Sequence, residues 1–222
     1  METRTKKPNR NLLPRLLRIA THVGALFPLA SILWDYWFYQ LSADPIREIT
    51  LRTGGSALIL LALSLACSPL NIVFGWKQLI PLRRPLGLYA FFYASLHGLT
   101  FVWLDYGLDL GLIRDAIFQK PFALAGLATF LLLLPLALTS NRWFRRKLGQ
   151  RWVQLHRLAY LAGITAGIHF LWLVKNAYTR PLLYGALLSV LLLMRAPPVR
   201  DRLERWRTRL KRRVLERSTS DA

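Results

Sequence analysis

The chain has 222 residues, 54% of them hydrophobic and 12% aromatic, and carries a formal net charge of +20. A soluble domain this basic would suggest nucleic acid. Here the charge sits in short blocks between long apolar runs, the pattern of a polytopic membrane protein, so the expected partner is a lipid bilayer and no nucleic acid is expected. Cys67 is the only cysteine, which excludes an intramolecular disulfide, a C-x-x-C-H haem attachment and a cysteine-based zinc site.

Six apolar segments occur in order, at roughly 15–40, 55–74, 85–104, 121–140, 152–174 and 181–196. Each is read as a helix, because an open strand leaves backbone groups unsatisfied in lipid. The first comes after a basic N-terminus, as in a secretory signal, but ends in the bulky WDYWFYQ rather than a small-residue cleavage site, so it is read as an uncleaved span. The expected organisation is a basic N-terminus over 1–14, a transmembrane unit over 15–196 and a basic tail over 197–222. No internal repeat is evident.

Lys and Arg set the expected orientation. One side takes Arg4, Lys6, Lys7, Arg10, Arg15 and Arg18, then Lys77, Arg83 and Arg84, then Arg142, Arg145, Arg146, Lys147 and Arg151, and ten more from Arg195 to Arg217. The other side takes only Arg47, Arg52, Arg114, Lys120, Lys175 and Arg180. The alternation predicts an all-α, six-helix membrane bundle with both termini in the cytoplasm. The far side carries Asp44, Glu48, Asp105, Asp109 and Asp115, with Trp34, Tyr36, Trp37, Tyr39, Trp103, Tyr106 and Trp172 near the same edge as an aromatic belt. In the tail, Val199, Leu203, Trp206, Leu210 and Val214 recur at helical spacing among arginines. That fits a basic amphipathic helix on anionic lipid, or a solvated basic tail.

The four histidines, His22, His97, His156 and His169, all fall in apolar segments and none in a connection. An ionisable side chain in a span is costly and marks a functional site. Imidazole is also the usual haem-iron ligand in helical bundles. His156 and His169 share one segment, roughly 20 Å and about 140° apart on an ideal helix, so they serve different partners unless the helix distorts near Gly163, Thr165 and Gly167. His97 and His169 lie ~18 and ~25 Å from the basic edge on two helices that run the same way, so they could meet across the bundle. A bis-histidine haem b between them is one reading, and a pair of helix-packing histidines is the other.

His156 lies only ~6 Å inside the basic edge and His22 ~10 Å. His22 could oppose His156 as a second-haem ligand. Alternatively, His156 holds a second haem with an open or unusual sixth position, or contacts a haem propionate or a quinol. Arg83, Arg84 and Arg157 would suit propionates or quinol, since guanidinium pairs with carboxylates, or they anchor the basic side. Gly54, Gly55, Ser56 and Ala57, and Ala94, Ser95 and Gly98 around His97, permit close approach of a helix or a porphyrin.

Several stretches carry a resemblance: SADPIREI near residue 42, RRPLGLYAFFYASLH ending at His97, LALTSN near residue 136, and LGQRWVQLHRLAYLAGITAGIHFLW through His169. In these the chain resembles the MsrQ (YedZ) family of haem-binding membrane subunits. It is more distantly similar to the ferric reductase-like transmembrane domain that NADPH oxidases also carry. The resemblance implies a subunit of the bacterial inner membrane. It would pass electrons from a quinol or a cytoplasmic flavin reductase, through haem b, to a periplasmic molybdopterin methionine-sulfoxide reductase that repairs oxidised proteins. It maps the family's haem histidines onto His97, His156 and His169, and associates FMN with the family without placing it on any residue here. Sulfoxide reduction itself would lie on the separate partner, and no catalytic residue is expected in this chain. No G-x-G-x-x-G stretch occurs after a strand, so a nicotinamide donor is not expected to bind this chain. Rival readings are a stand-alone ferric-chelate or oxygen reductase-like cytochrome b, and a haem-free membrane scaffold or transporter.

Overall fold

The computed structural model describes residues 12–173 and 179–220, with the side chains of Arg180 and of 210–220 outside the description. Arg4, Lys6, Lys7, Arg10 and Lys175 therefore lie outside it, as do the side chains of Leu210 and Val214. Among the described residues the chain is helical throughout, with no strand. The long elements are α1 (Leu12–Trp37), α2 (Pro45–Phe74), α3 (Arg83–Leu99), which runs on as a π-helical turn at Thr100–Asp105, and α5 (Pro121–Leu138). Shorter ones are α4 (Leu110–Gln119), α6 (Arg142–Leu148), α7 (Gln150–Leu155), α8 (Leu158–Leu173) and α9 (Thr179–Leu193), with the tail helix α10 (Pro197–Ser220) last.

Four of these stretches are long and apolar enough to cross a membrane: Leu12–Trp37, Pro45–Phe74, Lys77–Asp105 and Pro121–Leu138. A fifth results if α9 and α10, bent by 75° at their junction, count as one broken span. The protein is thus a membrane protein with several apolar helices. The outer surface is itself apolar, with Ile19, Val23, Phe27, Leu183 and Leu193 exposed, as lipid-facing side chains should be.

Three boundaries depart from the sequence reading, each for a local reason. Helix α2 starts ten residues before the expected 55. Asp44 caps it by accepting the Arg47 N–H at 3.1 Å, and Pro45 fits its first turn. The chain can stay helical past Arg52 because that guanidinium pairs with both Asp35 of α1 and Glu48 one turn earlier. The expected segment 152–174 is broken: α7 ends at Leu155, His156 and Arg157 form a turn, and α8 begins at Leu158. The third connection holds a helix that periodicity does not reveal, α4, capped by Asp109, which accepts the N–H groups of Gly111 and Leu112.

The bundle packs mainly as two helix pairs, α2 with α3 and α5 with α8. Ala90 and Ala162, both fully buried, let these pairs close on a core that includes Leu61, Leu65, Leu133 and Leu188. Helix α1 is pinned to α3 by Tyr93, itself fully buried. Its hydroxyl donates to the Ala25 carbonyl at 2.7 Å and accepts the Leu29 N–H at 3.0 Å. Those two groups are i,i−4 partners, so the phenol is inserted in the α1 ladder beside Pro28. At the other end, the Arg207 guanidinium of α10 donates to the Asn71 carbonyl at 3.1 Å, in the last turn of α2, where a cation complements the helix dipole. Gly75 then leaves the helix at φ 76°.

Tyr93→Ala is expected to cost about 3–5 kcal/mol through the cavity it opens, and Tyr93→Phe only about 1 kcal/mol, because the α1 ladder can re-close. Thermal unfolding in one fixed detergent checks this; equal losses in both variants would give the weight to the hydroxyl instead of the ring.

Candidate histidine centre of the helical bundle

Helices α3 and α8 bring His97 and His169 together in the interior, with ring centroids 6.0 Å apart and planes at 78°. Each ring is held the same way. The Nδ1 of His97 lies 2.9 Å from the Thr50 carbonyl of α2, and the Nδ1 of His169 lies 2.6 Å from the Phe122 carbonyl of α5. Each carbonyl already closes a helical bond to the glycine four residues on, Gly54 or Gly126. It has a second lone pair for the imidazole, but the ring can reach it only because that later residue has no Cβ. A Cβ at Gly54 would stand 3.0 Å from the His97 Nδ1, and one at Gly126 would stand 2.9 Å from the His169 Nδ1.

The carbonyls accept only, so each Nδ1 must be the protonated nitrogen and each Nε2 is left with its lone pair free. A hydrogen bond from the non-ligating nitrogen is how proteins fix a metal-binding imidazole. Two such imidazoles, brought together from opposite helix pairs, are a donor set that would hold a haem iron. Glycine on the facing helices lets each ring lie against the backbone. The residues present therefore fit that group. Among the described residues no cluster of three His, Cys, Asp or Glu side chains is present, so a protein-only metal cage is not built.

The clasp repeats in register. Thr50, Gly54 and His97 recur 72 residues later as Phe122, Gly126 and His169, and Ala90 recurs as Ala162. The reading that no internal repeat exists is corrected here: α2–α3 and α5–α8 are one motif used twice. Leucine-rich spans conceal it, because leucine matches such as Leu61 with Leu133 are uninformative in such runs, and only a few small residues and the histidines mark the register.

The other singled-out residues lie elsewhere. His156 sits in the α7–α8 turn, stacked on Trp152 at 3.9 Å between centroids, with its Nε2 3.3 Å from the Thr139 hydroxyl of α5. His22 lies on the exposed side of α1, with its Nδ1 3.0 Å from the Tyr89 hydroxyl. The structure gives these two histidines separate partners and no mutual contact. Arg83, Arg84 and Arg157 are exposed, and none belongs to an ion pair among the described residues. Sequence reasoning names Gly54 but gives it no partner, and misses Gly126, Thr50, Phe122 and Thr139. The equal spacing of 47 residues from each carbonyl to its histidine is the signal that could have found them.

Comparison with known proteins adds to this geometry. Residues 53–167 match the family model of the ferric reductase-like transmembrane component, a stretch that runs from α2 into α8. A protein of Xanthomonas campestris pv. campestris named protein-methionine-sulfoxide reductase heme-binding subunit MsrQ is 42% identical over 181 residues, covering 79% of this chain and 83% of its own. Proteins of the same name from Bordetella pertussis and Xanthomonas axonopodis pv. citri are each 43% identical over 77% of this chain, covering 84% and 81% of their own lengths. No solved structure matches the chain. With this coverage, the chain belongs to the family of ferric reductase-like transmembrane components and is related to the MsrQ heme-binding subunits.

Proposed function

We propose that this protein is a haem b electron-transfer subunit of a bacterial inner-membrane system that repairs methionine sulfoxide. The observation that carries this is the facing pair, His97 and His169, each with its Nδ1 spent on a helix carbonyl. The relatives' name, a haem-binding subunit of a protein-methionine-sulfoxide reductase, supports the same reading. His97 and His169 would hold the iron, and Gly54 and Gly126 would leave the rings room to turn toward it. When bound, haem supplies a one-electron carrier whose potential the protein tunes by ligation, hydrogen bonding and burial.

The chain's own residues do the rest. The Thr50 and Phe122 carbonyls keep the proton on Nδ1 and so keep Nε2 a ligand. The apolar bundle excludes water from the pair. His156, stacked on Trp152 and touching Thr139, offers a second level nearer the basic end, where it would serve a second haem, a propionate or a quinol. His22 stays a weaker candidate for that level, because Tyr89 already engages it.

Six crossings complete the reading, with α8 and α9 as the fifth and sixth and the basic connections and both termini in the cytoplasm. The 16-residue α8 spans about 24 Å by itself. Electrons would enter from a quinol or a cytoplasmic flavin reductase and leave to a periplasmic molybdopterin catalytic subunit, where sulfoxide reduction occurs. FMN, associated with the family by resemblance, has no residue assigned to it here.

A reduced-minus-oxidised spectrum of the purified protein is expected to show a low-spin b-type signal. His97→Ala or His169→Ala should abolish that signal, while His156→Ala should remove at most part of it. A colourless wild type, expressed with ample haem, would sink the proposal and favour a scaffold or transporter. Gly126→Ala or Gly54→Ala, which push on a ring without removing a ligand, should weaken haem retention by about tenfold or more. Unchanged retention in both, read by haem-to-protein ratio, would show that the clasp does not position the ligands.

A further inference from the structure

The α9–α10 turn directs one cation inward. Arg195 lies just past the end of α9, and its Nη2 donates to the Leu65 carbonyl of α2 at 2.6 Å. That carbonyl is free because its helical partner would be the missing N–H of Pro69. The guanidinium also lies over the Tyr160 ring of α8, 5.1 Å from its centroid. Its remaining donors, Nε and Nη1, are buried with no partner. No carboxylate pairs with it among the described residues. A guanidinium with two buried donors unspent and no carboxylate beside it lacks a counter-ion.

We propose that Arg195 is the cation of a ligand site at the basic end of the bundle, between α2, α8 and the α9–α10 turn. There its Nε and Nη1 hold an oxyanion, a carboxylate or a phosphate, of a ligand bound among the helices. The oxyanion has two sources, a propionate of a haem at the His156 level or the phosphate of an anionic lipid. The first source rests on the proposed function; the second does not. Sequence counting places Arg195 among the anchoring charges of the tail, but its side chain points into the bundle.

The test uses the full chain, wild type beside Arg195→Gln and Arg195→Lys, with helical circular dichroism as the folding control. The haem-depleted protein is titrated with protohaem and with protohaem dimethyl ester. Separately, the protein is exchanged into nanodiscs of phosphatidylglycerol or phosphatidylcholine and measured by native mass spectrometry. A propionate site predicts that wild type prefers the free acid by about tenfold, that Arg195→Gln erases the preference and that Arg195→Lys keeps part of it. A lipid site predicts no ester discrimination, but a phosphatidylglycerol retained by wild type and lost in Arg195→Gln. The wild-type comparisons of acid with ester and of the two lipids need no variant, so they stand even if Arg195→Gln misfolds. If wild type takes up no haem, the proposed function falls and the lipid measurement still decides this site. Indifference of the wild type to ester and to lipid headgroup overturns it.

Discussion

One hydrogen bond, made twice, constrains the bundle: an imidazole Nδ1–H donated to a carbonyl in the first two turns of a neighbouring helix. A helical carbonyl is normally screened by the side chain four residues on, so the donor reaches it here over a glycine. This demand fixes the helix pairing. Helix α3 must lie against the glycine face of α2, and α8 against that of α5, and these are the two most closely packed pairs. In lipid an unpaired N–H has no water to fall back on, so the bond holds the ring orientation more firmly than a surface contact would. The result is a pair of imidazoles held by Nδ1 with each Nε2 left unspent. Such a pair would be preorganised for the ligand role proposed above.

Much of this is legible in the sequence, but unevenly. Histidines in apolar runs stand out because each carries a desolvation cost that needs a reason, so His97 and His169 can be found as residues and as a pair. Their expected heights differ by ~7 Å on ideal helices, yet the rings meet. Two local departures accompany that meeting: α3 loosens into a π-turn after His97, and α8 starts only after the break at His156–Arg157. Neither has a strong local signal. Gly126 is invisible because one glycine in a leucine-rich run looks like packing slack until its partner is known. The start of α2 is misplaced when Arg52 is counted as a loop charge. Its neutralisation needs Asp35, which lies on another helix. Arg195 is misjudged for the same reason: a count of charges gives a side of the membrane, and cannot give the direction of a side chain.

The twofold motif also explains why the two ends of the bundle differ. In the 72-residue register His97 matches His169, but His156 falls opposite Arg84 and Thr139 falls opposite Cys67. The repeat is therefore kept at the level of the first pair and broken at the second. At the first level each half contributes a clasped imidazole. At the second, only the α5–α8 half contributes one, and it is turned toward Thr139 and Trp152 instead of a glycine-backed carbonyl.

That break has a physical consequence. The first level offers a symmetric pair of imidazoles between apolar helices, which would suit a metal-carrying group with an apolar body. At the second level Arg84 stands in register with His156; Arg83 and Arg84 are exposed, and the Nε and Nη1 of Arg195 are buried without a partner. A ligand held there as proposed would bring negative charge of its own. On the readings proposed above, the two levels would select for different features of a ligand, one for a metal centre and the other for an anionic group. A ligand that carries both, or two ligands that each carry one, would meet the bundle in the orientation its charges dictate.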